Sequence, residues 1–507
     1  MPAAATQVQR RPRIRGGKPP RGNVAGLERR ARKAGQEDVA LQCKLLRGHA
    51  ALRRRRWTEA AKHFRDPALR RPGRPWIRVA AQTGLAMAHE GTGELGAAIR
   101  RLRDAAGFAD AVRSGLPGAW LRAAFLLDQL DPYLARVDLL LRRGRAQDRR
   151  EAESLLDALA ARRFLERATP GRQPQARVDK ARARLEELYD RIGRGAGPTR
   201  GLDVRSLREL QQEAARLERS VAEQWRADER RGHPSMRVDT ARPQPCPLPV
   251  HVSALHLWLQ DGQVRGLVRH GKDVPRLTDL GSADGLAAEA RMLAFHERRL
   301  RHTDQAASAL ERQLAKLREI VVDRLGPLEW REEVRLVLDP AVPDLPWELL
   351  VLDAVSGEAG RRVLRVPALR LRRRVQPSAR GLTVVALGDP DLPGVGRETA
   401  GFGGQAQLLT NAGATKQGVV DALQTSDIVH LAGHGFEAAE APGLAGVRLA
   451  DGWFGATDVP ERIKARLVVL AACRTGRESG PASMAWGGLP HALLAAGAEH
   501  VIWTADD

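Results

Sequence analysis

A histidine and a cysteine stand after two apolar runs near the end of the sequence. His434 follows the run 428–431 after Ala432 and Gly433, and Cys473 comes directly after the run 467–472. A cysteine becomes a thiolate nucleophile when a histidine accepts its proton and a helix begins nearby. Gly435 lets the backbone approach closely, so its N–H and that of Cys473 can form an oxyanion hole. The alternative is that Cys473 is a core residue, because free cysteine is among the most buried residue types.

These runs belong to a pattern of short apolar segments separated by helical stretches in residues 381–507. The pattern predicts strands at 382–387, 407–410, 427–431, 467–472 and 500–503, and helices at 415–424 (Thr415 as N-cap) and 483–496. Strands that alternate with helices predict a mainly parallel, doubly wound α/β sheet. Such a sheet binds ligands beyond the carboxyl ends of its strands. His434 and Cys473 are therefore expected at that edge, whereas His430, in mid-strand, is expected to be structural.

Upstream of residue 381 the sequence predicts two further parts. Residues 250–380 open with alternating apolar and polar residues at 250–259 and 263–269 around Asp261-Gly262, which is a hairpin signal. A long helical stretch at 283–325 and a strand at 334–340 follow. A proline-rich linker at 236–249 separates this part from residues 37–235, where leucine and alanine recur at helical spacing.

Two segments within residues 37–235 resemble each other. Residues 55–64 align with residues 93–102, a separation slightly longer than the ~34 residues of tetratricopeptide (TPR) repeats, in which small alanines let paired helices approach. The helical part therefore resembles TPR repeats in its first two units, with a generic helical bundle as the alternative. Either arrangement is typical of an interaction or regulatory platform. Residues 1–36 carry ten basic residues against one acid, Glu28, and are predicted to be a disordered basic arm.

The composition indicates the cellular compartment of the protein and whether its net charge serves a function. The 507 residues carry 83 basic and 61 acidic side chains, a net charge of +22, and only nine of the basic residues are lysine. Such an arginine bias often reflects a GC-rich genome; the alternative is a nucleic-acid surface, with contact through the basic arm. Aromatic residues, on which single-strand binders stack bases, make up only 4%. The chain has three cysteines, no apolar run of about 18 residues and no apolar segment after its basic start. These features predict a cytoplasmic protein without membrane contact.

Six segments of the second half of the chain resemble those of one known family: residues 345–348 (LPWE), 384–390 (VVALGDP), 430–435 (HLAGHG), 449–452 (LADG), 470–476 (LAACRTG) and 497–503 (GAEHVIW). Through them residues 250–507 resemble the CHAT domain, a caspase-like family of clan CD cysteine peptidases related to separase and often fused to TPR repeats. The resemblance implies that His434 is the general acid/base and Cys473 the nucleophile of a catalytic dyad, and it implies no metal or cofactor. The sequence departs from the family at Arg474, where relatives commonly have an acid, and at Asp507, where the family normally continues through a further helix and strand.

The resemblance implies a cysteine endopeptidase that cleaves a protein substrate and is held inactive until a partner binds residues 37–235. Related TPR–CHAT proteases act in bacterial defence and as accessories of RNA-guided complexes, so the expected activator is a protein or a ribonucleoprotein. One alternative is therefore a protease subunit of an RNA-guided effector complex. Another, from a different class, is a non-catalytic scaffold whose repeats bind protein and whose basic surface binds nucleic acid. The presence of both His434 and Cys473 argues against a pure scaffold.

Four charged residues are candidates for the pocket that holds the substrate residue before the cleaved bond (P1). In related peptidases that cut after basic residues, acids on the strand after the catalytic cysteine help to form this pocket, and here that strand runs into Asp506 and Asp507. Asp389 follows the first strand at the same edge, and a partly desolvated carboxylate binds arginine through two hydrogen bonds. Arg397 lies in the first loop, where caspases place an arginine that selects acidic P1 residues. Because the acids outnumber it, a basic P1 residue is expected; the alternative is that the terminal aspartates are simply solvated.

Overall fold

The computed structural model opens with antiparallel helices. It describes residues 24–70, 75–114, 131–167, 184, 188, 209–210, 212–213, 216–217, 246–300, 305–325, 332–339, 341–355, 362–371, 381–386, 393–402, 404, 406–436, 446–472 and 488–503. Up to residue 167 the helices are α1 (Val24–Lys33), α2 (Glu37–Arg53), α3 (Trp57–Phe64), α4 (Pro75–Gly91), α5 (Leu95–Ser114), α6 (Asp131–Arg143) and α7 (Ala146–Arg167). We call these helices the helical region.

The helical region begins earlier than the sequence predicted. The predicted boundary between arm and helices, at residue 36, is wrong because α1 lies within the predicted arm. Ala31 is buried, and the buried Glu28 carboxylate accepts hydrogen bonds from Arg32 at 2.6 Å and from Arg47 of α2 at 2.9 Å. These contacts hold α1 against α2.

The turns between the helices share one geometry. Gly35, Arg55, Gly93 and Gly144 each follow a helix by one or two residues and take a positive φ, between 57° and 81°. At the first three turns the next backbone N–H donates to a carbonyl five residues back, which is the Schellman arrangement of a helix end. Arg55 and Gly93 are the two positions that the sequence comparison aligned. The helical region is therefore consistent with repeated helical hairpins.

A five-stranded mixed sheet follows. Its elements are β1 (Val252–Gln260), β2 (Gln263–His270), β3 (Arg276–Ser282), α8 (Ala283–Leu300), α9 (Gln305–Leu325), β4 (Glu333–Leu338), α10 (Trp347–Val355) and β5 (Arg362–Arg365), in the order β3-β2-β1-β4-β5. The predicted hairpin is present, with Asp261 and Gly262 at φ 51° and 77°, as a two-residue turn between twisted strands requires. The single helical stretch predicted at 283–325 is two helices that pack against each other.

The second sheet is entirely parallel, as predicted. It is formed from β6 (Leu382–Ala386), α11 (Pro393–Phe402), β7 (Ala406–Thr410), α12 (Lys416–Thr425), β8 (Ile428–Ala432), β9 (Gly435–Phe436), β10 (Gly446–Leu449), β11 (Gly452–Gly455), β12 (Leu467–Ala471), α13 (Leu489–Ala496) and β13 (His500–Trp503). The order is β13-β12-β8-β6-β7, and β9–β11 form a separate small antiparallel sheet. The chain moves outward from β6 to β7 and then crosses to β8, so the strand order reverses between β6 and β8. Ligands bind at such a reversal.

The helical region packs onto the first sheet. Trp258 of β1 and Leu267 of β2 are buried in the same apolar core as Leu140 and Leu155 of the helices. Arg265 of β2 also donates to Asp138 of α6 at 3.2 Å. Of the helices in the described ranges, none has the length and apolarity to cross a membrane.

Candidate functional site

The register of the parallel sheet brings the two ends of β8 and β12 to the same level. Ala432 of β8 pairs with Ala471 of β12, and the Gly433 N–H donates to the Ala471 carbonyl at 3.3 Å. His434 is two residues beyond Ala432, and Cys473 is two residues beyond Ala471. Cys473 itself lies outside the described residues. Two neighbouring strands therefore end in register, two residues before each member of the predicted dyad, at the edge where the strand order reverses.

His434 is held at its place by the small antiparallel sheet. Its side chain is half-buried, and its carbonyl accepts a hydrogen bond from the Arg448 N–H at 2.8 Å. That bond flanks the pair Gly435–Val447. In an antiparallel ladder the residues of such a pair point their own N–H and C=O groups away from the partner strand. The Gly435 N–H is therefore directed away from β10, which leaves it available to an acceptor on the other side.

A hairpin braces this strand end. Ala450 and Asp451 connect β10 to β11, and Val447, Leu449 and Phe454 are buried in the core of the parallel sheet. The Asp451 carboxylate accepts from the Lys416 N–H at 2.9 Å, at the first turn of α12. Thr415 is the N-cap of that helix, as predicted, and accepts from the Gly418 N–H at 3.1 Å. The hairpin is thus fixed to α12 as well as to the strand that carries His434.

His430 lies in the middle of β8, away from the strand end. It is buried, its Nε2 lies 3.0 Å from Oε1 of Glu398 on α11, and its ring packs against Phe402 with centroids 5.1 Å apart. These contacts fix α11 to the sheet.

The other two cysteines are enclosed by the protein. Cys43 in α2 and Cys246 before β1 are buried and are not joined in a disulfide. Burial, reinforced by the nearby Glu28 carboxylate, raises the pKa of the Cys43 thiol, which disfavours the reactive thiolate. Neither cysteine has the accessibility that a nucleophile for a protein substrate needs.

Only one candidate for the P1 pocket lies among the described residues. Arg397 is exposed on α11, while Val395, two residues earlier, is buried against the sheet. Asp389, Asp506 and Asp507 lie outside the described residues. They follow β6 and β13, which run parallel to β8 and β12 and end at the same edge of the sheet.

A buried charged cluster joins α7 to the first sheet, and sequence reasoning missed it. Glu153 accepts from the Arg269 guanidinium at 2.8 Å, and Asp157 accepts from the Leu369 N–H at 2.5 Å and from Arg370 at 2.7 Å. His256 lies within 4.0 Å of both carboxylates. We call these residues the α7 cluster: Glu153, Asp157, His256, Arg269 and Arg370. The only trace in the sequence is two acids four residues apart in a leucine- and alanine-rich helix.

The Asp157 carboxylate is charged in this buried setting. Burial by itself raises its pKa, but the contacts with His256 and Arg370 outweigh burial and hold the pKa below its ordinary value. Within the ranges that the structure describes, no group of three or more His, Cys, Asp or Glu side chains is arranged to hold a metal ion.

Comparison with known proteins agrees with this architecture. Residues 304–505 match the family model of the CHAT domain. The matched range begins before β4 and includes the whole parallel sheet, whereas β1–β3, which complete the first sheet, precede it. None of the curated proteins matches the chain. Residues 304–505 therefore match the CHAT domain, whose family is caspase-like and peptidase-related, and they follow an N-terminal helical region.

Proposed function

We propose that this protein is a cysteine endopeptidase with His434 and Cys473 as its catalytic dyad. The observation that carries the proposal is the pairing of Ala432 with Ala471, by which the neighbouring strands β8 and β12 end at the same level. Side chains that leave adjacent parallel strands in register start about 4.8 Å apart. That separation suits a hydrogen bond between an imidazole and a thiol.

In the proposed reaction the His434 imidazole takes the proton from the Cys473 thiol. The thiolate attacks the carbonyl carbon of the scissile peptide, and the backbone N–H groups of Gly435 and Cys473 bind the oxyanion that forms. As the C–N bond breaks, the His434 imidazolium gives its proton to the leaving amine. Water, deprotonated by His434, then attacks the thioester, which releases the new carboxyl terminus and regenerates the thiol.

We propose arginine or lysine as the preferred P1 residue. Asp389 and Asp506 follow strands that end at the edge of the sheet where His434 stands, and Asp507 is next in the chain. Carboxylates at that edge attract a basic side chain and repel an acidic one. The exposure of Arg397, on a helix whose buried face meets the sheet at Val395, favours the aspartates over the arginine as the selecting residues.

We propose that binding of a partner to the helical region switches on the CHAT domain, and contacts of α7 support this proposal. Asp157 of α7 binds Leu369 and Arg370, which lie between the last strand of the first sheet and the first strand of the parallel sheet. Arg370 also donates to the Ser154 carbonyl at 2.8 Å. A shift of α7 would therefore move the segment that joins the two sheets.

The end of α7 also touches the catalytic sheet. Phe164 is buried against Leu371, Leu494 and Ala495, and its ring lies 4.4 Å from the ring of His491. His491, Leu494 and Ala495 belong to α13, the helix that lies between Cys473 and β13 in the sequence. Because α7 touches α13, a partner on the helices has a physical route to the nucleophile. The family resemblance extends the proposal to a cytoplasmic enzyme in bacterial defence with a protein or ribonucleoprotein activator.

Co-expression with the proteins encoded beside this chain tests the peptidase. We expect new protein N-termini with the wild type that disappear with Cys473→Ala and with His434→Ala, because neither variant can form the acyl intermediate. Cys246→Ala, which removes a buried cysteine far from the dyad in sequence, is the matched control and should cut like the wild type. Cleavage that survives in the Cys473 variant would refute the dyad, and no cleavage with any neighbour would favour the non-catalytic scaffold.

A further inference from the structure

One arginine, Arg448, lies on β10 opposite the histidine of the proposed dyad. Its backbone N–H donates to the His434 carbonyl at 2.8 Å, and the next pair along the two strands is Gly435 with Val447. This register sets Arg448 directly across from His434. Residues that face each other in an antiparallel pair lie on the same face, with their Cβ atoms about 5 Å apart. The Arg448 side chain therefore starts beside the side chain of His434.

The opposite face of β10 is buried in the core. Val447 and Leu449, the neighbours of Arg448 on this strand, belong to the core of the parallel sheet, and successive side chains of a strand alternate between its two faces. Arg448 is therefore on the face away from that core, and it is half-buried. Trp453 pairs with it from β11 and is 9% exposed. His434, Arg448 and Trp453 thus form one row across neighbouring strands.

The row carries a guanidinium in a partly desolvated place. Two carboxylates of the adjoining turns accept hydrogen bonds from backbone groups: Asp451 accepts from the Lys416 N–H at 2.9 Å, and Asp458 accepts from the Gly455 N–H at 2.8 Å. A half-buried arginine attracts an anion more strongly than a fully solvated one, because the effective dielectric constant around it is lower. Its planar fork of N–H donors also matches the two oxygens of a carboxylate.

The proposed reaction determines which part of a substrate meets this row. His434 gives its proton to the leaving amine, so the substrate residues that follow the cleaved bond (P1′ and P2′) pass beside its imidazole. The aspartates proposed for the P1 residue follow other strands, β6 and β13. Arg448 is therefore placed for the leaving side of the substrate.

We propose that Arg448 selects an acidic side chain at P1′ or P2′ of the substrate. This inference rests on the proposed peptidase and adds a specificity on the leaving side of the cleaved bond. The side chains of P1′ and P2′ point to opposite sides of an extended peptide, so one of the two positions carries the acid and the other does not.

Alkylation of Cys473 with two reagents of similar size and different charge tests Arg448 without a substrate or an activator. Iodoacetate carries a carboxylate, whereas iodoacetamide is neutral, and both react with the same thiolate. The ratio of their rates therefore reports the attraction of an anion, independently of the thiolate fraction. The full-length wild type is compared with Arg448→Gln, with Arg448→Lys and with the control Arg462→Gln, which removes an exposed arginine that precedes β12 at the opposite end of the sheet.

We expect Arg448→Gln to lower the iodoacetate-to-iodoacetamide ratio about fivefold, because it removes a unit charge from a partly buried position. Arg448→Lys keeps the charge, and Arg462 is separated from the site by more than the screening length of the salt solution, so both variants should stay within about twofold of the wild type. An unchanged ratio in Arg448→Gln, or an equal fall in either of the other two variants, would overturn the proposal.

The new protein N-termini of the co-expression experiment give a second readout, because P1′ is the first residue of each. With the wild type, Asp and Glu should be enriched at the first or the second position, and Arg448→Gln should remove this enrichment. Cleavage sites without it would also overturn the proposal. Failure of the peptidase itself is a separate result: it shows as a pH midpoint of Cys473 alkylation that does not depend on His434, whatever the ratio of the two rates is.

Discussion

At the scale of single residues, Asp157 holds the helical region and the CHAT domain together. The residue is 1% exposed, and its carboxylate binds a backbone N–H and a guanidinium of the segment that joins the two sheets. Asp157→Asn should lower the free energy of unfolding by about 3 kcal/mol at neutral pH, because it removes the buried carboxylate that pairs with the Arg370 guanidinium. Urea titration measures the loss. Glu289→Gln removes a more exposed ion pair with Lys316 and should cost less than about 1 kcal/mol.

Acid should reduce the effect of the same substitution. The pKa of Asp157 is lower in the folded protein than its ordinary value. Its stabilisation is therefore complete above about pH 4, the ordinary aspartate value, and is lost as the pH falls through the folded value. The difference in unfolding free energy between the wild type and Asp157→Asn should shrink below about pH 4. A difference that does not change with pH would contradict a charged Asp157.

Specificity is also decided by single residues. Fluorogenic peptides that differ only at P1, supplied to the active protein, should be cleaved fastest with arginine or lysine, because Asp389, Asp506 and Asp507 follow strands that end beside the proposed dyad. Asp506→Asn combined with Asp507→Asn should reduce the preference about tenfold, while Asp323→Asn, an exposed aspartate of α9, should leave it unchanged. A preference for aspartate would transfer the role to Arg397, and a preference for an apolar residue would remove both candidates.

At the scale of elements, the proposed regulation depends on the contact between α7 and α13. Phe164→Ala removes the ring that packs on Leu494, Ala495 and His491. Amide exchange in α13 should become about tenfold faster, since the loss of a large buried contact lowers the local opening free energy. Hydrogen–deuterium exchange with mass spectrometry measures this change. Phe108→Ala removes a partly buried ring that packs on the core of the helical region and should leave α13 unchanged; equal effects in both variants would exclude a specific link.

The elements of the parallel sheet could be predicted because their signals are local. Apolar runs bounded by glycine, proline and charged residues marked β6, β8 and β12 within one residue of their observed ends, and Thr415 marked the start of α12. The placement of His434 at a strand end followed from the same runs. Parallel pairing then needs only the alternation of strands with helices.

Other elements depend on contacts that are distant in the sequence. β1 pairs with β4 about eighty residues later, and no local pattern specifies that partner. α1 has few large apolar residues and is held by Glu28, Arg32 and Arg47, so its composition resembles that of an unfolded arm. The α7 cluster joins polar and charged side chains from four separate places in the chain, which only the folded structure brings together.

At the scale of the whole molecule, α7 connects the three parts. It belongs to the helical region and contacts both the mixed sheet and the helix α13 of the parallel sheet. The net charge of +22 includes the arginines of the α2–α3 turn, which belong to the helical region, whereas the dyad belongs to the parallel sheet. The region proposed to bind a partner and the proposed dyad therefore lie in different parts of the molecule.

The reactivity of Cys473 towards iodoacetamide, measured against pH by mass spectrometry, tests the dyad without a substrate or an activator. A thiolate paired with His434 should react at half its maximal rate at a pH well below about 8.5, the ordinary value for a cysteine. His434→Ala should move that midpoint to about 8.5, and His500→Ala, an exposed histidine on β13, should leave it in place. Buried Cys43 and Cys246 should react slowly throughout. A Cys473 midpoint that is the same with and without His434 would contradict the dyad.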